Sequence, residues 1–316
     1  MATLQKKCTI PVIDLLDFPN QLPMLIEASE EWGCFRLVNF HQVLPLTLMA
    51  EMKDVIRSLF DLPTYIKTRN VDVIVRTGYM APSEINPRYE SFGLYDMACR
   101  SDVEAFCSQL EASNQQREIV KKYAGAAHEL LVRMAEKLAQ GLGIRSDTVG
   151  FDNWPCQFRI NKYHFTPGSV GLGGVQLHTD TGFLTILQDD EIVGGLQVID
   201  KAGDTIPVEP WPGTLVVNLG DMARIWSNGR FLNVKHKVEC VDETIRLSTA
   251  SFLLGPRGIV KPLPELVDAD HPAAYLPTTL EDSRTLRNST GWQAGEALKL
   301  LEIRRDETDE PSSSHD

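Results

Sequence analysis

The chain has 316 residues, 43% of them hydrophobic, which is long enough for one large domain with a buried core or for two smaller domains. Its 31 Lys and Arg against 43 Asp and Glu give a formal net charge of −12, which disfavours nucleic-acid binding. We find neither an apolar run long enough to span a membrane nor a secretory signal, and we expect a cytoplasmic protein that acts on a small molecule.

The first part of the chain is predicted to contain two strands and two helices. A short strand is expected over residues 9–15, a helix over 23–32 and a second strand over 35–39. Apolar residues at helical spacing predict another helix over 48–59, which Pro63 ends.

A loop-rich connection is expected over residues 68–112, and a long helix follows it. The helix begins at a capping box, Ser113 with Gln116, and Gly143 is a plausible stop. One apolar stripe follows the helix and predicts a face packed against the core: Ile119, Tyr123, Ala126, Leu130, Met134, Leu138 and Leu142.

The pattern changes after Cys156, where short runs rich in β-branched and aromatic residues alternate with turn residues. Many short strands favour an antiparallel barrel or a double-sheet jelly roll, hence an α+β fold in which helices flank a β core. Seven runs are predicted as strands: 157–165, 175–178, 183–187, 196–199, 214–219, 234–240 and 245–254.

The chain is interpreted as a single domain, residues 1–316, with a helix-rich part over 1–155 and a jelly-roll catalytic core over 156–260. A C-terminal extension over 261–305 includes a final helix, predicted over 287–305. The acidic, serine-rich residues 306–316 are predicted to be a disordered tail.

Two histidines and an aspartate in the strand-rich region form a candidate metal site. His178 and Asp180 lie two residues apart, so on a strand they point to the same side. An HxD triplet alone is weak evidence, but His236 lies two residues from each of two valines that predict an inward face. Two imidazoles and one carboxylate make a facial triad, which leaves open positions on Fe(II).

Arg246 and Ser248 share a face ten residues beyond His236. A guanidinium and a hydroxyl can hold a carboxylate, and an arginine that opens an otherwise apolar strand needs a buried anion to offset its desolvation. The alternative for Arg246 is a surface salt bridge. We interpret the charge run Asp189–Glu191 as a solvated turn, and His164 as pointing away from any site.

The HxD triplet, the histidine 56 residues after its aspartate and the Arg-x-Ser ten residues further on resemble the plant-type 2-oxoglutarate- and iron-dependent dioxygenases. Further matches extend over nearly the whole chain, among them Ile10–Asp14, Glu31–Phe35, Asn161–Tyr163 and Leu219–Asp221. The resemblance implies an isopenicillin-N-synthase-like fold. It also implies Fe(II) on His178, Asp180 and His236, with 2-oxoglutarate held by Tyr163, Arg246 and Ser248, O₂ as the second co-substrate and ascorbate as reductant.

Other segments resemble the dioxygenases for auxin oxidation within that family: Gly78–Pro82, Glu84–Pro87, Gln157–Phe165, His178–Leu184, Gln188–Asp190 and Phe252–Pro256. This resemblance implies oxidation of indole-3-acetic acid to 2-oxindole-3-acetic acid. Parity along the strands adds Arg159 as a candidate partner for the substrate carboxylate, with an internal salt bridge as its alternative. The full set of candidate substrate residues is Tyr79, Phe158, Arg159, Asn161, Phe183, Phe252 and Leu254.

Two other functions stay open. The same chemistry could act on another small molecule, such as a gibberellin or a glucosinolate side chain. A non-catalytic ligand sensor on the same fold is disfavoured, because a decayed site normally loses some of these polar groups.

Overall fold

The N-terminal helices and strands form where the sequence predicts them. The computed structural model describes residues 9–74, 77–145 and 149–303. Two short parallel strands, β1 (Val12–Asp14) and β2 (Cys34–Val38), are separated by helix α1 (Leu22–Glu31), and α2 (Leu46–Phe60) and the single turn α3 (Thr64–Lys67) follow.

The prediction of a loop-rich connection over residues 68–112 was wrong in part. This segment contains strand β3 (Tyr89–Leu94) and helix α4 (Arg100–Gln109). All six residues of β3 are buried, polar ones included, so the strand lacks the alternation of polar and apolar residues that would reveal it in the sequence.

The longest helix, α5 (Asn114–Gly141), confirms the predicted capping box. The Ser113 hydroxyl accepts from the backbone N–H of Gln116, while the Gln116 side chain accepts from the backbone N–H of Ser113. Gly143 has φ +78° just beyond the end, as expected of a glycine that terminates a helix. The helix packs against α1, α2 and the larger sheet.

Eight strands follow and, with β1 to β3, build two sheets that form a jelly roll. The strands are β4 (Cys156–Tyr163), β5 (Gly173–His178), β6 (Leu184–Gln188), β7 (Leu196–Ile199), β8 (Thr205–Pro207), β9 (Leu215–Leu219), β10 (Lys235–Glu239) and β11 (Arg246–Leu253). The larger sheet has the order β1-β2-β9-β6-β11-β4-β3 and the smaller β5-β10-β7-β8. Strand β8 and the short helix α6 (Asp221–Trp226) were not predicted.

The predicted helix over 287–305 was wrong. The structure has α7 (Leu280–Thr290) and then a short 3-10 turn, Glu296–Leu300. Gly291 and Gly295 have φ angles of +70° and +84°, and a left-handed residue ends a helix. Residues 304–305 and the predicted tail lie outside the described residues. The described helices include none with the length and apolarity of a bilayer-spanning segment.

The buried hydrophobic residues form two clusters. The larger joins α1, α2, α4 and α5 to the outer face of the seven-stranded sheet. The smaller includes Tyr163, Phe165, Leu196, Val198 and Val238, and so draws on both sheets. Side chains of the smaller cluster therefore fill part of the space between the sheets.

Candidate active site

Three candidate metal ligands meet between the sheets. His178 ends β5 and lies directly opposite His236 on β10, and Asp180 follows two residues later. The Oδ1 atom of Asp180 lies 3.6 Å from Nε2 of His178 and 3.7 Å from Nε2 of His236. The three ligand atoms are within 4.8 Å of one another, so they can surround one cation.

Hydrogen bonds orient these ligands. Nδ1 of His178 and of His236 lie 2.9 and 3.2 Å from the carbonyls two residues earlier, which favours the proton on Nδ1 and a free lone pair on Nε2. The Thr185 hydroxyl donates to Asp180 Oδ2 at 2.5 Å. Burial, with the neighbouring His236, lowers the pKa of His178 to about 4. His178 is therefore neutral near pH 7, the form that binds a metal.

The C-terminal segment supports the loop that carries Asp180. The backbone N–H of Thr179 donates to the carbonyl of Gln293 at 3.0 Å. Arg287 and Asp221 form a buried ion pair at 3.1 Å, and the N–H of Asp221 donates to the carbonyl of Asp180 at 2.8 Å. Residues more than a hundred positions later in the chain thus fix the backbone between two candidate ligands.

Arg246 is fully buried at the start of β11, and its charge is compensated from one side only. Its Nη2 donates to Asp189, and its guanidinium lies over the Tyr163 ring at 4.8 Å from the centroid. Burial would lower the pKa of Arg246, but Asp189 raises it. Among the described residues Nε and Nη1 have no partner. Buried N–H groups of this kind fit a bound carboxylate, which would satisfy them.

The interpretation of Asp189–Glu191 as a solvated turn was wrong for its first two residues. The Asp189 side chain is only 10% exposed, and buried Asp190 accepts from three backbone N–H groups, including that of Leu247. Only Glu191, 42% exposed and paired with Lys53, fits that interpretation.

A cavity of about 220 Å³ lies between the sheets and contains the three candidate ligands. Strand parity is correct for β4 and β11: Arg159, Asn161 and Tyr163 line one wall, with Arg246, Ser248 and Phe252 beside them. The remaining lining residues are Tyr89, Val175, Thr185, Leu187, Leu196, Asn218, Val238 and Ala250.

Four candidate substrate residues lie elsewhere. Phe158 and Phe183 are buried in the larger apolar cluster, and Leu254 is buried just beyond the end of β11. Tyr79 donates its hydroxyl to buried Glu90 at 2.7 Å. Phe158 and Leu254 miss the cavity for simple reasons: the first alternates with Arg159 on β4, and the second follows the last paired residue of its strand.

Glu90 lies next to cavity residue Tyr89 on β3 and organises a polar cluster. Besides Tyr79, it binds Lys67 at 2.9 Å and His164 at 3.0 Å. The His164 side chain therefore contacts Glu90 and is not one of the three candidate metal ligands. Burial raises the pKa of Glu90, but these three partners outweigh it and bring the pKa to about 2.

The comparisons with known proteins agree with this site. Residues 10–98 match the family model described as the N-terminal region of non-haem dioxygenases in morphine synthesis. Residues 154–255 match the model of the 2OG-Fe(II) oxygenase superfamily. The chain belongs to the 2-oxoglutarate- and Fe(II)-dependent oxygenases, and it is a dioxygenase that uses both.

Its similarity to particular relatives covers almost the whole chain. It is 50% identical over 299 residues to the 2-oxoglutarate-dependent dioxygenase DAO of Oryza sativa, covering 92% of this chain and 98% of that protein. The crystal structure of rice dioxygenase for auxin oxidation matches with 48% sequence identity and a TM-score of 0.86, and the match covers 93% of this chain and 100% of that chain. The structure of dioxygenase for auxin oxidation 1 from Arabidopsis thaliana, bound to 2-oxoglutarate, matches with 54% sequence identity and a TM-score of 0.80. That match covers 83% of this chain and 99% of that chain.

Proposed function

We propose that this dioxygenase oxidises indole-3-acetic acid to 2-oxindole-3-acetic acid. The supporting observation is that the cavity beside the three metal ligands has two guanidinium groups on one wall, Arg246 and Arg159. One can bind the distal carboxylate of 2-oxoglutarate and the other the carboxylate of the substrate. The similarity to auxin-oxidising relatives favours an indolic acid as that substrate.

For the co-substrates, we assign Fe(II) to His178, Asp180 and His236. Their donor set, two imidazoles and one carboxylate, suits Fe(II) with open positions. Once bound, Fe(II), 2-oxoglutarate and O₂ supply the oxidant, with conversion of 2-oxoglutarate to succinate and CO₂. Ascorbate serves as reductant in the assay.

We assign the distal carboxylate of 2-oxoglutarate to Arg246, Ser248 and Tyr163, hereafter the co-substrate site. The buried Nε and Nη1 atoms of Arg246 gain acceptors there. Because Arg246 is buried, a charge-assisted hydrogen bond from it is stronger here than in water.

For the substrate, Arg159 holds the carboxylate and apolar side chains receive the indole ring. Arg159 already has polar neighbours, with Nη2 donating to Ser91 at 2.8 Å, so its orientation is restrained. Phe252, Leu187 and Val238 offer apolar surface in the same cavity. The protein contributes orientation and exclusion of water. One oxygen atom enters at indole carbon 2, and the hydroxylated product tautomerises to the 2-oxindole.

The test is turnover of a panel of indolic and terpenoid acids by purified enzyme with Fe(II), 2-oxoglutarate and ascorbate. We expect one succinate per 2-oxindole product, identified by mass. Arg159→Ala should raise the KM for the acid, while 2-oxoglutarate binding stays close to wild type; Arg57→Ala, on the exposed face of α2, is the matched control.

Each alternative function has a distinct outcome in this assay. Turnover of a gibberellin or a glucosinolate precursor, with indolic acids ignored, would exclude the auxin substrate but keep the class of enzyme. Ligand binding without release of succinate from 2-oxoglutarate, whichever acid is added, would support the sensor.

A further inference from the structure

A continuous line of hydrogen bonds joins Arg159 to the co-substrate site. Arg159 Nε donates to the Tyr89 hydroxyl at 3.4 Å, and that hydroxyl donates to Asn161 Oδ1 at 2.7 Å. Asn161 Nδ2 then donates to Ser248 Oγ at 3.3 Å. The two proposed carboxylate-binding regions are therefore connected through side chains that all face the cavity.

The sheet explains why these residues meet. On the three neighbouring strands β3, β4 and β11, Asn161 is paired with Ser248, and Tyr89 with Tyr163. The rings of Tyr89 and Tyr163 lie 5.6 Å apart, so Tyr89 also packs against a member of the co-substrate site. Register places its hydroxyl over the neighbouring pair, within reach of Asn161.

The donors in this line all point the same way. A phenol has one proton, and Tyr89 gives it to Asn161, so its oxygen accepts from Arg159. The bond fixes which end of the Asn161 amide is the oxygen, and the amide nitrogen must then face Ser248. Because Ser248 accepts from Asn161, its own proton can be donated to an anion in the cavity.

We propose that Tyr89 is a positioning residue that orients both carboxylate-binding groups, Arg159 directly and Ser248 through Asn161. Tyr89 itself need not touch either ligand. The part concerning Arg159 rests on the proposed function, whereas the part concerning Ser248 depends only on 2-oxoglutarate as co-substrate.

Tyr89→Phe is the sharpest perturbation, because it keeps the ring against Tyr163 and removes one hydroxyl. Asn161 then loses its donor and can flip, and Arg159 loses an acceptor. The net value of one such hydrogen bond corresponds to a threefold to tenfold change, roughly, in affinity. We expect weakening of about that size for both 2-oxoglutarate and indole-3-acetic acid, with a raised KM for each and kcat within about twofold of wild type.

The measurement is calorimetric titration of 2-oxoglutarate into the Mn(II)-loaded full chain, in which no turnover occurs, for Tyr89→Phe, Ser248→Ala and the double variant. If Tyr89 acts through Ser248, the Tyr89→Phe effect should shrink to less than twofold in the Ser248→Ala background. The corresponding cycle with Arg159→Ala uses indole-3-acetic acid as the titrant. The proposal would be overturned if the fold-changes in affinity of the two single variants simply multiplied in the double variant of both cycles. It would also be overturned if Tyr89→Phe left the affinity for both ligands unchanged.

Two further variants separate this role from general destabilisation. Tyr123→Phe removes another buried tyrosine hydroxyl, which bonds Gln188 and Thr249 outside the cavity, and should leave both affinities unchanged. Asn161→Ala removes the only link from Tyr89 to Ser248 in this line, so it should weaken binding of 2-oxoglutarate more than binding of the indolic acid.

The two proposals can fail separately. If wild-type protein binds 2-oxoglutarate but not indole-3-acetic acid, the proposed substrate is wrong, and the Ser248 cycle alone decides the role of Tyr89.

Discussion

Removal of Asp189 should destabilise the protein, because it leaves the Arg246 guanidinium buried without its carboxylate. The Arg246 side chain is 0% exposed and that of Asp189 10%, so bulk water has little access to the pair. Breaking a buried ion pair from one side costs about 3–5 kcal/mol, although replacing both partners can be nearly neutral. We therefore expect Asp189→Ala to lower the free energy of unfolding by about 3–5 kcal/mol. Asp189→Asn, which keeps an acceptor but loses the charge, should have a free energy of unfolding between those of wild type and Asp189→Ala.

The co-substrate should partly reverse this loss. A ligand that binds only the folded state stabilises it by about 2.7 kcal/mol at a hundred times its Kd. In Asp189→Ala, 2-oxoglutarate supplies a carboxylate to Arg246 in place of the one removed, so its stabilising increment should exceed that in wild type.

Urea unfolding at 25 °C, with and without Mn(II) and 2-oxoglutarate, measures both effects. Glu191→Ala is the matched control, since the Glu191 side chain is 42% exposed and its pair with Lys53, at 3.4 Å, should contribute no more than about 1 kcal/mol. An Asp189→Ala variant within about 1 kcal/mol of wild type would refute the assignment of Asp189 as the buried counter-charge.

Three other perturbations test the site and its surroundings. Asp180→Ala should abolish turnover and Mn(II) binding by calorimetry while the circular dichroism spectrum stays native, because the strands pair without metal; retained binding would exclude Asp180 as a ligand. Gly174→Ala places a methyl group 2.6 Å from the Tyr163 ring, so it should cost about 1–3 kcal/mol in urea unfolding, and a neutral result would mean that the ring can shift freely. Glu90 has a folded-state pKa of about 2 against an ordinary 4.5, so the unfolded chain takes up its proton first and stability falls as pH drops from about 4.5 to 2. Glu90→Gln should flatten that fall in unfolding measured between pH 5 and 3, and an unchanged slope would contradict the network.

Much of the site could be predicted because it depends on residues two apart on single strands. Arg246, Ser248 and Phe252 lie on one face of β11, as their parity requires, and the double-sheet fold and family are confirmed. Parity alone cannot say where a strand stops, which is why Leu254 was misplaced.

Contacts between distant strands explain the rest. Tyr89 lies on a strand buried on both faces, so no periodicity reveals it, and its position over Asn161 depends on the register of β3 against β4. Asp189 looked like part of a solvated charge run. The requirement that a buried Arg246 find an anion was the available signal, and it pointed to a partner without saying which.

The support of the metal loop by the C-terminal segment has a consequence for biosynthesis. His178, Asp180 and His236 are all synthesised before Arg287 and Gln293, and those last two residues lie beyond the region matched by the oxygenase family model. A nascent chain that ends before them contains every candidate ligand, but it lacks the Gln293 carbonyl that accepts from Thr179 and the Arg287 guanidinium that pairs with Asp221. The loop that carries Asp180 is thus completed only once Arg287 and Gln293 have been synthesised and have folded back onto it.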